Sequence, residues 1–189
     1  MKPLSILIVE DEILIRVDIR EIVEQAGHIV CGECGSGTQA IKLAKQTQPE
    51  MVIMDITMPG LDGLETAQVM HNLNIPVVMV TANSQPKMIQ RAENVHVYGY
   101  VIKPVSEQNL IATIQIAYAR WKDMCSVHKE LDKIKEDLEN QKIIGKARSI
   151  IQDRLGISAQ QAHKRLLQEA MKYQITLAEI AKKIVEKIK

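Results

Sequence analysis

Short aliphatic runs alternate with longer amphipathic stretches over the first 105 residues, and this alternation constrains the fold more than any other feature. The runs predict five β-strands, at residues 4–9, 28–34, 51–55, 76–81 and 97–103. Helical periodicity separates them at residues 13–26, 38–47, 63–73 and, more weakly, 84–94, and a fifth helix is expected after Pro104. Alternating strands and helices form a parallel sheet, and near-continuous aliphatic strands are covered on both faces. The sequence therefore predicts an α/β fold.

A long helix is expected next, because turn signals stop after Ser106. Apolar or aromatic residues fall three and four apart at positions 110, 114, 117, 121 and 124, and again at 127, 131, 134 and 138 in a shifted register. This spacing predicts one helix over about residues 106–140 with a register break near 124–127, which pairs with a second copy as a coiled coil. The alternative is a helical hairpin packed on the tail.

The tail predicts a small all-α domain of three helices. The first helical segment ends at Gly156, and the next two open with the capping-box pairs Ser158–Gln161 and Thr176–Glu179. The expected domains are therefore residues 1–121, a helical linker over residues 106–140 that continues the last helix of the first domain, and residues 141–189.

Charge is divided between the two ends of the chain. Residues 1–121 contain nine Lys and Arg against 13 Asp and Glu, whereas residues 141–189 contain 11 against four. No apolar run approaches the roughly 20 residues of a membrane span, and acids within the first ten or so residues argue against a signal peptide. Three cysteines, an odd number, indicate a reducing cytoplasm, and the pair Cys31 and Cys34 is expected to be structural. We expect a cytoplasmic protein with different partners at its two ends.

Polar side chains stand at the carboxyl ends of the predicted strands, where ligands gather in an open parallel sheet. They are Glu10, Asp11, Asp55, Thr81 and Lys103. Crowded carboxylates repel one another, and hard oxygen ligands of this kind suit Mg²⁺, with the lysine balancing the remaining charge. The sequence therefore predicts a magnesium site at this edge of the sheet.

These positions carry a family resemblance. The acid pair after "ILIV", Asp55 in "MDITMPGLDG", Thr81 in "VTA" and Lys103 in "YVIKP" are similar to the signature of response-regulator receiver domains. The resemblance covers about 120 residues and implies a flavodoxin-like (βα)₅ fold. It implies that Asp55 accepts a phosphoryl group from a phosphohistidine on a sensor histidine kinase, and that the chain is not an enzyme.

The resemblance also assigns the surrounding residues. Asp11 and Asp55 would bind Mg²⁺ directly, the carbonyl of Thr57 would be the third protein ligand, and Glu10 would act through water. Thr81 would hold the phosphoryl group, Lys103 would balance its charge, and Tyr100 would be the aromatic that swings inward. The family usually has a small residue where this chain has Tyr98.

The basic tail resembles the ANTAR domain, a three-helix RNA-binding module of antitermination regulators such as those of ethanolamine, amide and nitrate metabolism. The resemblance rests on "ARSII" at 147–151, "GIS" at 156–158, on Ala162, Leu166 and Ala170, and on the closing "LAEIAKKIV". The chain departs from the family pattern at four positions, Arg148, Ser149, His163 and Leu167. The resemblance implies stabilisation of an antiterminator hairpin in a leader transcript.

Basic residues of the tail are the candidate RNA contacts, because clustered Lys and Arg neutralise phosphates. We expect contacts from Lys146, Arg148, His163, Lys164, Arg165 and Lys172. His163 is a candidate to stack on an unpaired base, and a partly buried His without that role is the alternative. From charge alone, a merely solvated face also stays open. We expect a response regulator that dimerises on phosphorylation and binds RNA; the alternative is a helical tail that binds DNA or a protein.

Overall fold

The computed structural model describes residues 2–58, 62–82 and 97–186. The chain forms two units, Met1–Met124 and Cys125–Lys189. The weak helix expected at 84–94 lies outside the described residues. None of the described helices is long and apolar enough to cross a membrane.

The first unit contains a five-stranded parallel sheet. Its strands are β1 (Ser5–Val9), β2 (Ile29–Cys34), β3 (Met51–Asp55), β4 (Val77–Thr81) and β5 (Gly99–Ile102), in the order β2-β1-β3-β4-β5. Every adjacent pair is parallel. All five expected strands are confirmed, and the sheet is that of a flavodoxin-like α/β fold.

Helices cover both faces of the sheet. The helices within and following it are α1 (Ile13–Gln25), α2 (Gly37–Thr47), α3 (Gly63–Asn72) and the start of α4 (Glu107–Leu155). Alternate strand residues point to opposite faces, so Leu7 and Val52 pack with α2 and α3, while Ile6 and Ile53 pack with α1 and α4. The two aliphatic layers hold the strand ends in fixed positions.

Helix α4 is longer than the sequence predicted. The helix was expected to end near residue 140, but it runs without a break to Leu155 and so includes the first helix of the tail. The expected register break near residues 124–127 also has a physical cause, because the apolar residues before it pack against the sheet and those after it do not. Leu110, Ile114 and Ala117 are fully buried against the sheet, so this first set of apolar positions is not a coiled-coil seam. Only the second set, from Val127 onward, is exposed.

The second unit is built from the end of α4 and from two further helices, α5 (Ala159–Tyr173) and α6 (Leu177–Glu186). Its core is made of small and aliphatic residues, including Ala147, Leu166, Ala170 and Ile180. The Ser158 hydroxyl accepts from the Gln161 amide, and the Gln161 side chain accepts from the Ser158 amide, which forms the predicted capping box. The three-helix tail is confirmed.

Candidate functional site

The parallel sheet brings the predicted polar residues to one edge. Glu10 follows β1, Asp55 ends β3, Thr81 ends β4 and Lys103 follows β5. The strand register aligns Asp55 with Val80, and the amide of Lys103 donates to the Thr81 carbonyl at 2.8 Å. Glu10 is fully buried and Asp55 is only 4% exposed, because aliphatic strands surround them. Two carboxylates are therefore held in a largely desolvated pocket.

Lys103 links the two buried carboxylates. Its Nζ lies 2.9 Å from Asp55 Oδ2 and 2.9 Å from Glu10 Oε2, while the exposed Glu12 is more distant at 3.7 Å. The lysine side chain is itself mostly buried. Desolvation alone would be costly for each of these charges, and the ion pairs offset that cost. The pocket therefore depends on one shared cation.

The pKa values of Glu10 and Lys103 reflect this arrangement. Burial raises the pKa of the Glu10 carboxyl and the charge of Asp55 adds to the rise, while the hydrogen bond from Lys103 partly offsets it. Burial acts to lower the pKa of Lys103, but hydrogen bonds from its ammonium to Asp55 and Glu10 outweigh burial and leave that pKa above its ordinary value. Lys103 therefore stays charged at neutral pH.

Backbone groups also position the acids. The Thr57 amide donates to Asp55 Oδ1 at 3.2 Å and the Glu12 amide donates to Glu10 Oε1 at 3.3 Å. Gly63 lies so close to β3 that an added Cβ would be 2.4 Å from the carbonyl oxygen of Asp55. Only glycine fits there. Sequence reasoning did not assign this role, although the "DG" pair at the start of α3 marks a place where the backbone turns tightly.

The donor set fits a divalent cation. Glu10, Asp11 and Asp55 each offer a carboxylate oxygen, and these atoms all lie within 4.8 Å of one another. Oxygen-only ligands with one side open to solvent are the chemistry that Mg²⁺ prefers, since it retains several waters. The residues present therefore fit the ion that the sequence predicts.

Thr81 and Tyr100 lie beside the pocket. Thr81 is buried at the end of β4, as the sequence predicts. Tyr100 is half-buried on β5, opposite Met79, and packs against the core layer that includes α2 and α3. Its proposed inward swing stays a prediction.

The basic residues of the tail do not form one narrow face. A helix turns about 100° per residue, so Lys146 and Arg148 point away from each other on either side of the buried Ala147. On α5, Arg165 and Lys172 are seven residues apart and lie on one stripe, whereas Lys164 is about 100° away from Arg165. All five side chains are exposed.

His163 is partly accessible, and its proposed stacking on a base stays a prediction. Its Nδ1 is buried without a hydrogen-bond partner, and the residue is only partly exposed. Tyr173 at the end of α5 is 56% exposed, and the ammonium of Lys172 lies 5.4 Å from its ring centroid. Sequence reasoning missed Tyr173, although the tail from residue 122 onward contains no other aromatic residue.

The fold and the acid–lysine pocket define a receiver domain. The family model of the response regulator receiver domain matches residues 6–115, and that of the ANTAR domain matches residues 132–185. The chain therefore belongs to the response regulators, with a receiver domain followed by an ANTAR domain. Proteins that combine a receiver domain with an ANTAR domain are regulators rather than enzymes.

One relative matches both units. The transcriptional regulatory protein PdtaR of Mycobacterium tuberculosis is 34% identical over 185 residues, which covers 97% of this chain and 90% of the relative. Protein CcdB of Bacillus subtilis is 33% identical over 111 residues, 58% of this chain and 92% of its own.

A solved structure supports the fold of the first unit. The signal receiver domain of a modulated diguanylate cyclase from Desulfovibrio desulfuricans G20 is 32% identical, with a TM-score of 0.61 over 64% of this chain and 98% of that one.

Proposed function

We propose that the chain is a phosphorylation-controlled regulator that binds RNA hairpins and promotes transcription antitermination in the cytoplasm. Phosphorylation control is supported by the pocket in which the Lys103 ammonium lies 2.9 Å from both Asp55 and Glu10. An acceptor carboxylate, a charge-balancing lysine and further acids for a cation are the parts that phosphoryl transfer requires. RNA binding and antitermination are supported by the match to the ANTAR domain over residues 132–185.

Asp55 is the proposed acceptor, and a sensor histidine kinase is the donor. One carboxylate oxygen of Asp55 attacks phosphorus as the bond between phosphorus and the histidine nitrogen breaks, and the pair of electrons stays on the imidazole. Asp11, Asp55 and the Thr57 carbonyl would hold Mg²⁺, with Glu10 acting through water, and the ion would supply neutralisation of the developing charge. Thr81 then holds the phosphoryl oxygens. Lys103, which contacts Asp55 before transfer, pairs with the added charge afterwards.

Asp55→Asn tests the acceptor because the amide has the same shape but cannot form the acyl phosphate. We expect acetyl phosphate and Mg²⁺ to label the wild type and not the variant, with both chains folded by circular dichroism. Asp62→Asn is the control, since that carboxylate caps α3 and lies outside the proposed ligand set. Label on the Asp55→Asn chain would disprove the assignment.

The RNA surface is proposed to include Arg165, Lys172 and the exposed Tyr173 on α5. Lys164 on α5 and Lys146 and Arg148 on α4 are further candidate contacts. Basic side chains neutralise phosphates, and an aromatic ring stacks on an unpaired base. His163 stays a candidate to stack on an unpaired base, with a partly buried His without that role as the alternative. A DNA-binding tail is the alternative, and competition of a labelled hairpin by duplex DNA at fixed salt separates the two.

Salt dependence tests whether the basic residues contact phosphates. A hairpin selected in vitro from a library with a randomised loop is titrated from about 50 to 200 mM salt. Arg165→Ala should weaken binding and reduce the salt slope by about 0.7–0.9, because one phosphate contact is lost. Lys129→Ala on α4 removes the same charge outside the surface and should leave the slope unchanged. Identical slopes for wild type and both variants would mean that this face is only solvated.

A further inference from the structure

A cluster of charged side chains lies beside the phosphoryl pocket, where α1 packs near the end of β2. Arg16 and Arg20 of α1 both pair with Glu33 of β2, at 3.6 Å from Arg16 Nε and 3.2 Å from Arg20 Nη1. Side chains on a helix lean toward its amino end, so Arg16 reaches back toward the loop that joins β1 to α1. None of these three residues belongs to the set proposed to bind Mg²⁺ or the phosphoryl group.

Among the described residues, Arg16 makes a contact that Arg20 does not. Its Nη1 donates a hydrogen bond to the backbone carbonyl oxygen of Glu10. A Cβ added to Gly35 would lie 3.5 Å from that nitrogen and 3.4 Å from the Cα of Asp11. The Arg16 side chain is 20% exposed, against 39% for Arg20. The guanidinium of Arg16 is therefore held directly beside the peptide unit that joins the two acids.

Asp11 is the one carboxylate of the acid cluster that packing does not fix. Glu10 and Asp55 are buried among aliphatic strands, whereas Asp11 is not buried. The direction of the Asp11 side chain therefore depends on the backbone of the loop that carries it. The Glu10 amide donates to the Cys34 carbonyl at 2.9 Å, and the Glu10 carbonyl accepts from Arg16. These two bonds hold the residue before Asp11 from both sides.

The positive charge of Arg16 does not by itself favour a cation site. A guanidinium next to the loop of Glu10 and Asp11 offsets part of the negative charge that attracts Mg²⁺, and it repels the ion. If charge alone matters, removing the guanidinium should tighten Mg²⁺ binding. If the guanidinium holds the loop in place, removing it should weaken Mg²⁺ binding. The two possibilities therefore differ in sign.

We propose that Arg16 is a positioning residue for the proposed Mg²⁺ site. By holding the Glu10 carbonyl, it fixes the loop in which the carboxylate oxygens of Glu10, Asp11 and Asp55 lie within 4.8 Å of one another. Glu33 in turn keeps the guanidinium in place. Arg16 itself contacts neither the ion nor the phosphoryl group. The inference rests on the proposed function, since it concerns the same ion.

Mg²⁺ alone is the probe, titrated by calorimetry into the full chain without a phosphoryl donor. Arg16→Met keeps most of the apolar stem but removes the guanidinium, and it should weaken Mg²⁺ binding by about tenfold or more, as loss of a group that orients metal ligands does. Arg16→Gln, which retains a polar side chain, takes its place if that chain does not fold.

Arg20→Met is the matched control. It removes the same charge and an ion pair to the same Glu33, but no contact with the Glu10 carbonyl. It should bind Mg²⁺ at least as tightly as wild type. Urea unfolding is measured on the same samples, because a tie that only joins α1 to β2 would lower the stability of both variants and weaken Mg²⁺ binding in neither. Mg²⁺ binding by Arg16→Met that equals or exceeds that of wild type would overturn the proposal.

Labelling by acetyl phosphate gives a second readout. If Arg16 acts through the loop, the Arg16→Met chain should need about tenfold more Mg²⁺ to reach half its maximal labelling rate, and that maximal rate should equal the rate of wild type. A rate that stays low at saturating Mg²⁺ would mean that Arg16 acts on the phosphoryl group itself, and it would contradict the positioning role.

Asp11→Asn separates this inference from the proposed function, because it removes a proposed ligand of the ion. Wild type should bind Mg²⁺ and Asp11→Asn should bind it much more weakly. If these two chains bind Mg²⁺ equally, the proposed metal site is wrong and the inference falls with it. If they differ as expected while Arg16→Met binds as wild type does, the metal site stands and only the positioning role of Arg16 is wrong.

Discussion

At the scale of single residues, Gly63 lies against the backbone of Asp55, the proposed phosphoryl acceptor. An added Cβ would be 2.4 Å from the carbonyl oxygen of Asp55 and 2.9 Å from Ile56, both backbone positions that cannot move independently of β3. We expect Gly63→Ala to destabilise the first unit by about 1–3 kcal/mol through overpacking, and to slow labelling of Asp55 by acetyl phosphate. The readouts are urea unfolding and the labelling rate.

Gly145→Ala is the control for that variant. Gly145 lies within α4, where an added Cβ meets nothing within 4 Å. Alanine there should stabilise the helix by up to about 1 kcal/mol and leave labelling unchanged. A Gly63→Ala chain with wild-type stability and wild-type labelling would show that the close approach does not constrain Asp55.

His28 makes the first unit sensitive to acid. It is buried, and its Nδ1 accepts from the Leu4 amide at 3.2 Å. Burial lowers the pKa of His28 below its ordinary value of 6.5, and the positive N-terminus adds to this. The unfolded chain therefore takes up the proton more readily, so the stability from neutral His28 is present above pH 6.5 and is lost as pH falls from there through the folded pKa.

We expect this pH dependence to be removed in His28→Asn, whose carbonyl can still accept a hydrogen bond but does not titrate. Free energies of unfolding are measured in urea at pH 7.5 and at successively lower pH. His128→Asn, at an exposed position of α4, should keep the wild-type dependence. If wild type and His28→Asn lose the same free energy of unfolding as pH falls from 7.5, His28 is not the group responsible.

At the scale of elements, the caps of the tail helices are more informative than the apolar pattern. Ser158→Ala removes the side-chain acceptor for the Gln161 amide, a hydrogen bond of 3.3 Å, and should destabilise the second unit by about 1 kcal/mol. Ser149→Ala is the control, because that exposed hydroxyl bonds only to the Gly145 carbonyl within the helix. Helical circular dichroism during urea unfolding compares them, and equal midpoints for the two variants would contradict the role of the cap.

The elements of the receiver could be predicted almost entirely from sequence, because aliphatic runs and turn residues alternate with little ambiguity. The helix after Pro104 could not. Burial against a sheet and pairing in a coiled coil both produce apolar residues three and four apart, so Leu110 and Leu131 looked alike although the sheet buries only the first. Its end was also missed, because the helix continues without a break from its exposed apolar positions into the core of the tail.

In the candidate site, too, some features could be predicted from the sequence pattern, whereas others depend on tertiary packing. The charged residues at the strand ends could be predicted because a parallel sheet brings those ends together. Gly63, the partial burial of His163 and the exposure of Tyr173 depend on tertiary packing, which spacing alone does not encode. The opposite directions of Lys146 and Arg148 follow from helix geometry once α4 is known to continue through them.

At the scale of the whole molecule, α4 contains residues of both units and joins the first unit to the tail as one continuous helix. Phosphorylation of Asp55 would add about 1.5–2 negative charges beside the Lys103 ammonium, which lies 2.9 Å from Asp55 Oδ2. We expect Lys103→Ala to leave Mg²⁺ binding intact by calorimetry while hairpin affinity no longer responds to phosphorylation. If phosphorylation of the Lys103→Ala chain still changed hairpin affinity as in wild type, Lys103 would not couple phosphorylation to hairpin binding.

The most direct test of the account is hairpin binding with and without phosphorylation. Wild type and Asp55→Asn are each titrated into the selected hairpin before and after treatment with acetyl phosphate and Mg²⁺, at one fixed salt concentration. We expect treatment to tighten binding by wild type about tenfold or more and to leave binding by Asp55→Asn unchanged. Equal dissociation constants for treated and untreated wild type, or the same gain in Asp55→Asn, would contradict it.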